Sequence, residues 1–245
     1  MTINNIPERM LHQRIMTVNK LNNISSWLII ILLLSQVGLS IAIILRLRNI
    51  LYILFPTSIE QVSSPTPFVK NVSIDDDPKQ GVDDAQVTII EFSDYQCPYC
   101  ADADKSIKTL LDQYNGKILF VYRDFPLKNS HQYAFQAAEA ADCAGKQNKY
   151  WEMHDVLFIN QENLDTSSLK EYATQLSLNQ AQFDLCLANN EFESEINKDL
   201  EDGKSYGVTG TPTFFINGYM MEGGTIDQLR QAIESALQNK YEITK

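Results

Sequence analysis

The longest apolar run in the chain is Trp27–Leu45, WLIIILLLSQVGLSIAIIL, in which none of the 19 positions is charged. It is apolar on every face, unlike the one-sided stripe of a helix that packs on a globular core. As a helix it spans roughly 28 Å, close to the ~30 Å hydrocarbon core of a bilayer. A membrane-spanning anchor is therefore expected at 27–45, with Trp27 at one interface and Arg46 and Arg48 at the other. A cleaved leader is the rival reading, because Ser40-Ile41-Ala42 has a small-x-small pattern. Against it, the run is long for a leader, and apolar sequence continues to Phe55. Residues 56–67, PTSIEQVSSPTP, have no apolar period and read as a tether. The expected order is an N-terminal segment 1–26, an anchor 27–45, a linker 46–67 and a globular part from Phe68.

Within the globular part, Val87–Phe92 is a β-branched run, and Ile118–Tyr122 is continuously apolar, as expected for strands buried on both faces. Between them Ile107, Leu110, Leu111 and Tyr114 recur at helical spacing, and Gly116 ends the helix. Strand, helix, strand predicts a right-handed βαβ unit with parallel strands. After Pro126 the pattern turns helical over His131–Gln147, Tyr150–Asn160, Ser167–Leu176 and Ala181–Ala188. Strand character returns at Thr213–Ile216, before an Asn217-Gly218 turn suited to a hairpin. A last helix carries Ile226, Leu229, Ile233 and Leu237 on one stripe. The class is α/β, a sheet domain interrupted by helices.

Charge narrows the partners. Residues 1–60 carry five Lys/Arg against Glu8 and Glu60, a net of +3, so the rest of the chain carries −14 of the −11 total. An acidic globular part excludes nucleic acid as a natural partner. Basic residues flank the apolar run on both sides, so charge alone does not orient it.

The cysteines are Cys97, Cys100, Cys143 and Cys186. Cys97 and Cys100 follow a strand and open a helix, where unpaired N–H groups and the positive dipole end stabilise a thiolate. Cys97 is the candidate nucleophile. Cys100, one turn inward, is placed to resolve a mixed disulfide. Pro98 loses no hydrogen bond at the first helical turn, and Tyr99 completes the active-site loop. A structural zinc site needs a second cysteine pair, and Cys143 and Cys186 stand 43 residues apart. Haem attachment needs a histidine at 101, where the chain has Ala. Two inert core thiols are a third reading, at odds with a position that activates thiols. Thr211-Pro212 enters the last apolar strand, where either a cis bond or a trans proline capping an edge strand satisfies the pattern. His131 and His154 fall in no metal-ligand spacing and read as structural. No metal or cofactor is expected.

The run Glu91-Phe92-Ser93-Asp94-Tyr95-Gln96-Cys97-Pro98-Tyr99-Cys100, a helical block, and then Thr211-Pro212 resemble the DsbA-like thiol–disulfide oxidoreductases of the thioredoxin superfamily, of the membrane-tethered DsbA/BdbD type. The resemblance runs from about residue 68 to the C-terminus. It implies a thioredoxin fold (68–127 plus 191–245) with an inserted all-helical domain (128–190). It also implies Cys97 as nucleophile, Cys100 as buried resolving thiol, Pro212 as the cis-proline beside the pair with Thr211 before it, and Glu91 as a buried acid exchanging a proton with Cys100. A strand carboxylate facing outward is the alternative for Glu91. Cys143 and Cys186 are expected to form a structural disulfide, as in some relatives, stabilising by about 4 kcal/mol in the chain-entropy model. The implied activity is dithiol oxidation of reduced or unfolded extracytoplasmic proteins, with reoxidation by a membrane quinone reductase of the DsbB or vitamin-K-epoxide-reductase type. The catalytic domain would sit outside the cytoplasm on a single-pass anchor. A reductase or isomerase, and a non-catalytic thioredoxin-like binding or metal-holding module, are the competing readings.

Overall fold

The computed structural model describes residues 32, 34–47 and 67–238, in two units, Met1–Ser64 and Pro65–Lys245. In the first unit residues 34–47 form a helix, α1, with Leu34, Val37, Leu39, Ile41, Ile43 and Leu47 exposed. Among the described residues no helix is long and apolar enough to cross a membrane. Residues 27–31 and 33 of the expected anchor, the segment 1–26 and residues 48–66 of the linker lie outside the described residues.

The second unit is organised around β2 (Val87–Ser93). Its period of two sends Val87, Ile89, Glu91 and Ser93 to one face and Ile90 and Phe92 to the other. β3 (Ile118–Asp124) pairs with it in parallel, as the strand–helix–strand pattern requires, with Glu91 opposite Tyr122. β4 (Thr213–Ile216) pairs antiparallel on the other side, with Glu91 opposite Phe214, and β5 (Tyr219–Glu222) closes a hairpin with it. Asn217 and Gly218 both have positive φ in that turn, at 48° and 87°. A short β1 (Lys79–Gly81) adds antiparallel to β3, so the order is β1-β3-β2-β4-β5.

One face of the sheet is covered by α2 (Pro98–Gln113), α8 (Ile226–Leu237) and the helices α3 (Ala134–Gly145), α4 (Tyr150–Ile159), α5 (Thr166–Gln175) and α6 (Gln180–Asn189). The alanines of α3 let these helices share one core with Val87, Ile89, Phe120 and Tyr122 of the sheet. Cys143 on α3 and Cys186 on α6 are disulfide-bonded, their Cα atoms 5.8 Å apart. Side-chain caps fix several helix starts: Asp165 accepts from Ser167 N and Ser168 N, and Thr225 with Gln228 forms a capping box.

The other face is covered by α7 (Glu193–Ser205), which the hydrophobic pattern does not announce. Its buried residues are Ile196, Asp199 and Gly203, and a stripe built partly of an aspartate and a glycine carries no apolar period. Gly203 lets the helix approach the sheet closely. A Cβ there would lie 2.8 Å from the Phe125 ring and 3.0 Å from Phe92, and both rings are buried. An alanine ordinarily gains about 1 kcal/mol over glycine inside a helix. Here overpacking outweighs that gain, so Gly203→Ala is expected to destabilise the domain by about 1–2 kcal/mol in urea unfolding. An unchanged or higher midpoint would show that α7 shifts outward freely.

Candidate active site

The turn between β2 and α2 is tied down at nearly every residue. Asp94 is buried; its Oδ1 accepts from Gln96 N at 2.7 Å, and its Oδ2 accepts from Leu127 N at 2.8 Å and contacts His131 Nδ1 at 2.8 Å. Gln96 Oε1 accepts from Tyr133 N at 2.8 Å. Tyr95 is fully buried, stacked on Tyr122, with its hydroxyl 3.0 Å from both Tyr150 Oη and His154 Nδ1. The Gln161 amide donates to Tyr95 O at 2.7 Å and Cys97 O at 2.9 Å. This scaffold presents Cys97 as the N-cap of α2, with φ −80° and ψ 121°, and Pro98 opens the helix.

Both active-pair thiols are unbonded, and they differ sharply in environment. The Cys97 thiol is lowered to about 6, chiefly by a hydrogen bond from the Cys100 thiol. The backbone N–H groups of Cys100 and Tyr99 assist, and partial burial opposes them. Cys100 is fully buried, and its thiol is pushed far up by that burial and by its bond to Cys97. At neutral pH the pair therefore holds one thiolate, at Cys97, and one proton, on Cys100. Tyr99 between them is 75% exposed.

The Thr211–Pro212 bond is cis. Thr211 O accepts from the Cys97 thiol at 3.5 Å, and the Thr211 hydroxyl, buried without a conventional partner, helps to lower Cys97. Beside the cis bond a groove of about 480 Å³ runs between Tyr99 and Asp102 on one wall and Thr211, Pro212, Glu222 and Thr225 on the other.

Glu91 is 1% exposed, so its side chain points into the interior and not outward. Its Oε1 accepts from Ser93 Oγ at 2.7 Å. Burial raises its carboxyl to about 8, against the lowering effect of Ser93 and with smaller contributions from the charges of Asp104 and Cys97. The Glu91 charge pushes the Cys100 thiol further up, and a hydrogen bond with Ser93 opposes it. Across the parallel strands Tyr122 Oη is buried near the same spot and has no partner at hydrogen-bond distance.

The structure thus brings Glu91, Cys97, Pro98, Tyr99, Cys100, Thr211 and Pro212 together, and it places Cys143–Cys186 elsewhere, among the helices. His131 and His154 both brace the active-site turn. Asp94, Gln96, Gln161 and Asp104 belong to the same scaffold and have no sequence motif that announces them. Among the described residues three groups have cation-like spacing. In Asp104–His154–Asp155 the Lys108 ammonium already contacts both carboxylates at 2.7 Å. Asp77–Glu195–Asp199 lies beside the Arg123 guanidinium, and Asp75–Asp76–Glu195 is more exposed.

Residues 73–235 match the family model described as thioredoxin. Among solved structures, a thioredoxin-like oxidoreductase from Silicibacter pomeroyi is 26% identical, with a TM-score of 0.63 over 69% of this chain and 98% of that one. BdbD from Bacillus subtilis is 25% identical, with a TM-score of 0.61 over 68% of this chain and 95% of its own. Among curated proteins, the Na(+)/H(+) antiporter NhaA 3 of Salinispora tropica is 39% identical over 166 residues. That match takes in 67% of this chain but 25% of the antiporter, so the chain spans about a quarter of that relative's length.

Proposed function

The chain belongs to the thioredoxin family as a DsbA-like thiol–disulfide oxidoreductase, and from that premise we propose that it is a dithiol oxidase, introducing disulfides into extracytoplasmic proteins through Cys97 and Cys100. The observation that carries the reading is the asymmetry of the pair. Cys97 is held as a thiolate near pH 6 while Cys100 keeps its proton. A stabilised thiolate is a good leaving group and favours the reduced enzyme, and both make the disulfide form an oxidant. Substrate polypeptide lies in the groove beside Pro212. A substrate thiolate attacks Cys97 Sγ, the Cys97–Cys100 bond breaks, and Cys100 leaves as a thiolate. A second substrate thiolate then displaces Cys97, so the substrate gains a disulfide and the enzyme leaves with the Cys97 thiolate and the Cys100 thiol.

The domain works on the outer side of a membrane, tethered through residues 27–45, with electrons passed to a membrane quinone reductase of the DsbB or vitamin-K-epoxide-reductase type. The uncharged apolar run Trp27–Leu45 and the Cys143–Cys186 disulfide, a bond favoured in oxidising compartments, support this placement. The test is refolding of reduced, denatured ribonuclease by the purified domain. Faster disulfide formation is expected; a domain that reduces insulin well but cannot accelerate ribonuclease oxidation is a reductase instead.

Glu91 is the proton donor to Cys100 in this scheme. Its carboxyl titrates near 8, so it holds a proton at pH 7 and can pass it to the departing Cys100 thiolate, which cannot persist in its buried site. Glu91→Gln removes that proton. The reaction of the disulfide enzyme with a dithiol peptide is expected to slow by about 10²-fold at pH 7, and the inflection near pH 8 to vanish. Rapid-mixing kinetics across pH 6–9 read both, and a wild-type rate and profile in the variant would remove Glu91 from the mechanism.

A further inference from the structure

We propose that Gln161, two residues past the end of α4 in the helical block, is a positioning residue that sets the reactivity of Cys97; the proposal rests on the redox reading above. One nitrogen, Nε2, lies 2.7 Å from Tyr95 O and 2.9 Å from Cys97 O. Only the donor end of the amide fits there, since the reverse orientation would set Oε1 against two carbonyl oxygens. Both hydrogens of the amide are thus committed to the two carbonyls that flank Gln96.

The Cys97 carbonyl is the first acceptor of α2, receiving Cys100 N at 3.1 Å and Ala101 N at 3.3 Å. Holding it fixes the peptide plane after Cys97 and with it the direction of the N–H groups of Tyr99 and Cys100. Those groups stabilise the Cys97 thiolate. Pro98 has no N–H, so the peptide after Cys97 donates no bond of its own that would fix it. The other end of the same brace is His154 on α4, which holds the Tyr95 hydroxyl at 3.0 Å and Asp104 of α2 at 3.2 Å. Gln161 is partly exposed and touches neither sulfur, so its effect passes through the backbone of the turn.

Gln161→Met keeps the length without the donors, and Gln161→Glu places a carboxylate against the same carbonyls. The Cys97 ionisation is read from thiolate absorbance and from the pH profile of alkylation. Both variants are expected to raise its midpoint by roughly 0.5–1 unit, with the larger shift in Gln161→Glu. The equilibrium against glutathione should move three- to tenfold toward the enzyme disulfide, as roughly 0.5–1 unit of thiolate stabilisation requires. A purely structural contact would lower the unfolding midpoint while leaving the Cys97 midpoint and the glutathione equilibrium at their wild-type values, and that result would overturn the proposal. The wild-type titration judges the redox reading, and the difference between wild type and variants judges the clamp, so the two fail separately.

Discussion

Cys97→Ser is expected to lower ribonuclease oxidation by on the order of 10³-fold or more, to the rate of the buffer alone, because the sulfur that is attacked in the first step and leaves in the second is removed. A serine hydroxyl does not ionise near neutral pH and cannot form the mixed disulfide. The wild-type thiol, with its midpoint near 6, is about nine-tenths thiolate at pH 7. Cys100→Ser should fail differently. Cys97 is still lowered by the N–H groups of Cys100 and Tyr99, so it still attacks a disulfide, but no buried thiol remains to release the product. Mixed disulfides between Cys97 and substrate should accumulate in Cys100→Ser and be visible by non-reducing electrophoresis, and they should be absent from Cys97→Ser. Oxidation by Cys97→Ser within tenfold of wild type would place the chemistry elsewhere.

In the proposed oxidation cycle the proton and the electrons take separate routes. There electrons enter at Cys97, whose sulfur lies 3.5 Å from the carbonyl of Thr211, a residue of the groove wall. The proposed proton transfer runs on the interior side, where the buried Glu91 and Ser93 both influence the Cys100 thiol. That separation follows from strand alternation. Glu91 and Ser93 share the face of β2 that α2 covers, so the acid lies under the helix whose first turn carries both thiols. The Cys143–Cys186 bond fastens α3 to α6.

The parts legible in the sequence are those carried by a local period or a short spacing. The strands read as Val87–Phe92 and Ile118–Tyr122, the helix between them and the Thr213–Ile216 hairpin declare themselves through apolar positions, and Cys97–Cys100 declares itself through spacing and its place after a strand. The illegible parts are held by polar groups distant in the chain. α7 buries Asp199 and Gly203 where a pattern reading looks for leucine. β1 is only Lys79–Gly81, and it exists because Gly81, at φ 99°, lets the strand come within 2.1 Å of Ile118 O at its would-be Cβ. Gln161 reaches two main-chain carbonyls more than sixty residues away, a contact with no residue-type signature at either end. The inward direction of Glu91 needed the register with Tyr122 and Phe214 before burial could be assigned.

Arg123→Met is expected to cost the domain about 3–5 kcal/mol at pH 7–8, an unfolding midpoint lower by on the order of 10 °C. Arg123 is fully buried on β3. Its Nε lies 2.8 Å from Asp77 Oδ2 and Asp199 Oδ1, its Nη2 contacts Asp199 and reaches Asp202 Oδ2 at 2.8 Å, and its guanidinium lies 5.1 Å from the centre of the Phe92 ring. Methionine fills much of the volume but leaves those carboxylates without a countercharge. Burial already raises Asp77, to about 9, and Asp199, with Arg123 lowering both. The sign of the pH dependence follows. A carboxyl whose pKa is higher folded than unfolded binds more protons in the native state, so stability falls as pH rises from about 4 toward the folded pKa. Without Arg123 the folded values climb further. The variant should therefore separate from wild type as pH rises through each wild-type folded value, that of Asp199 and, above about pH 9, that of Asp77. Adding Asp77→Asn and Asp199→Asn to Arg123→Met should restore much of the loss at pH 8 and flatten the slope, because the uncompensated charge is removed and not merely exposed. Urea unfolding at pH 5 and pH 8 separates the outcomes, and a single variant as stable as wild type at pH 8 would mean that the guanidinium contributes nothing net to holding α7 against the sheet.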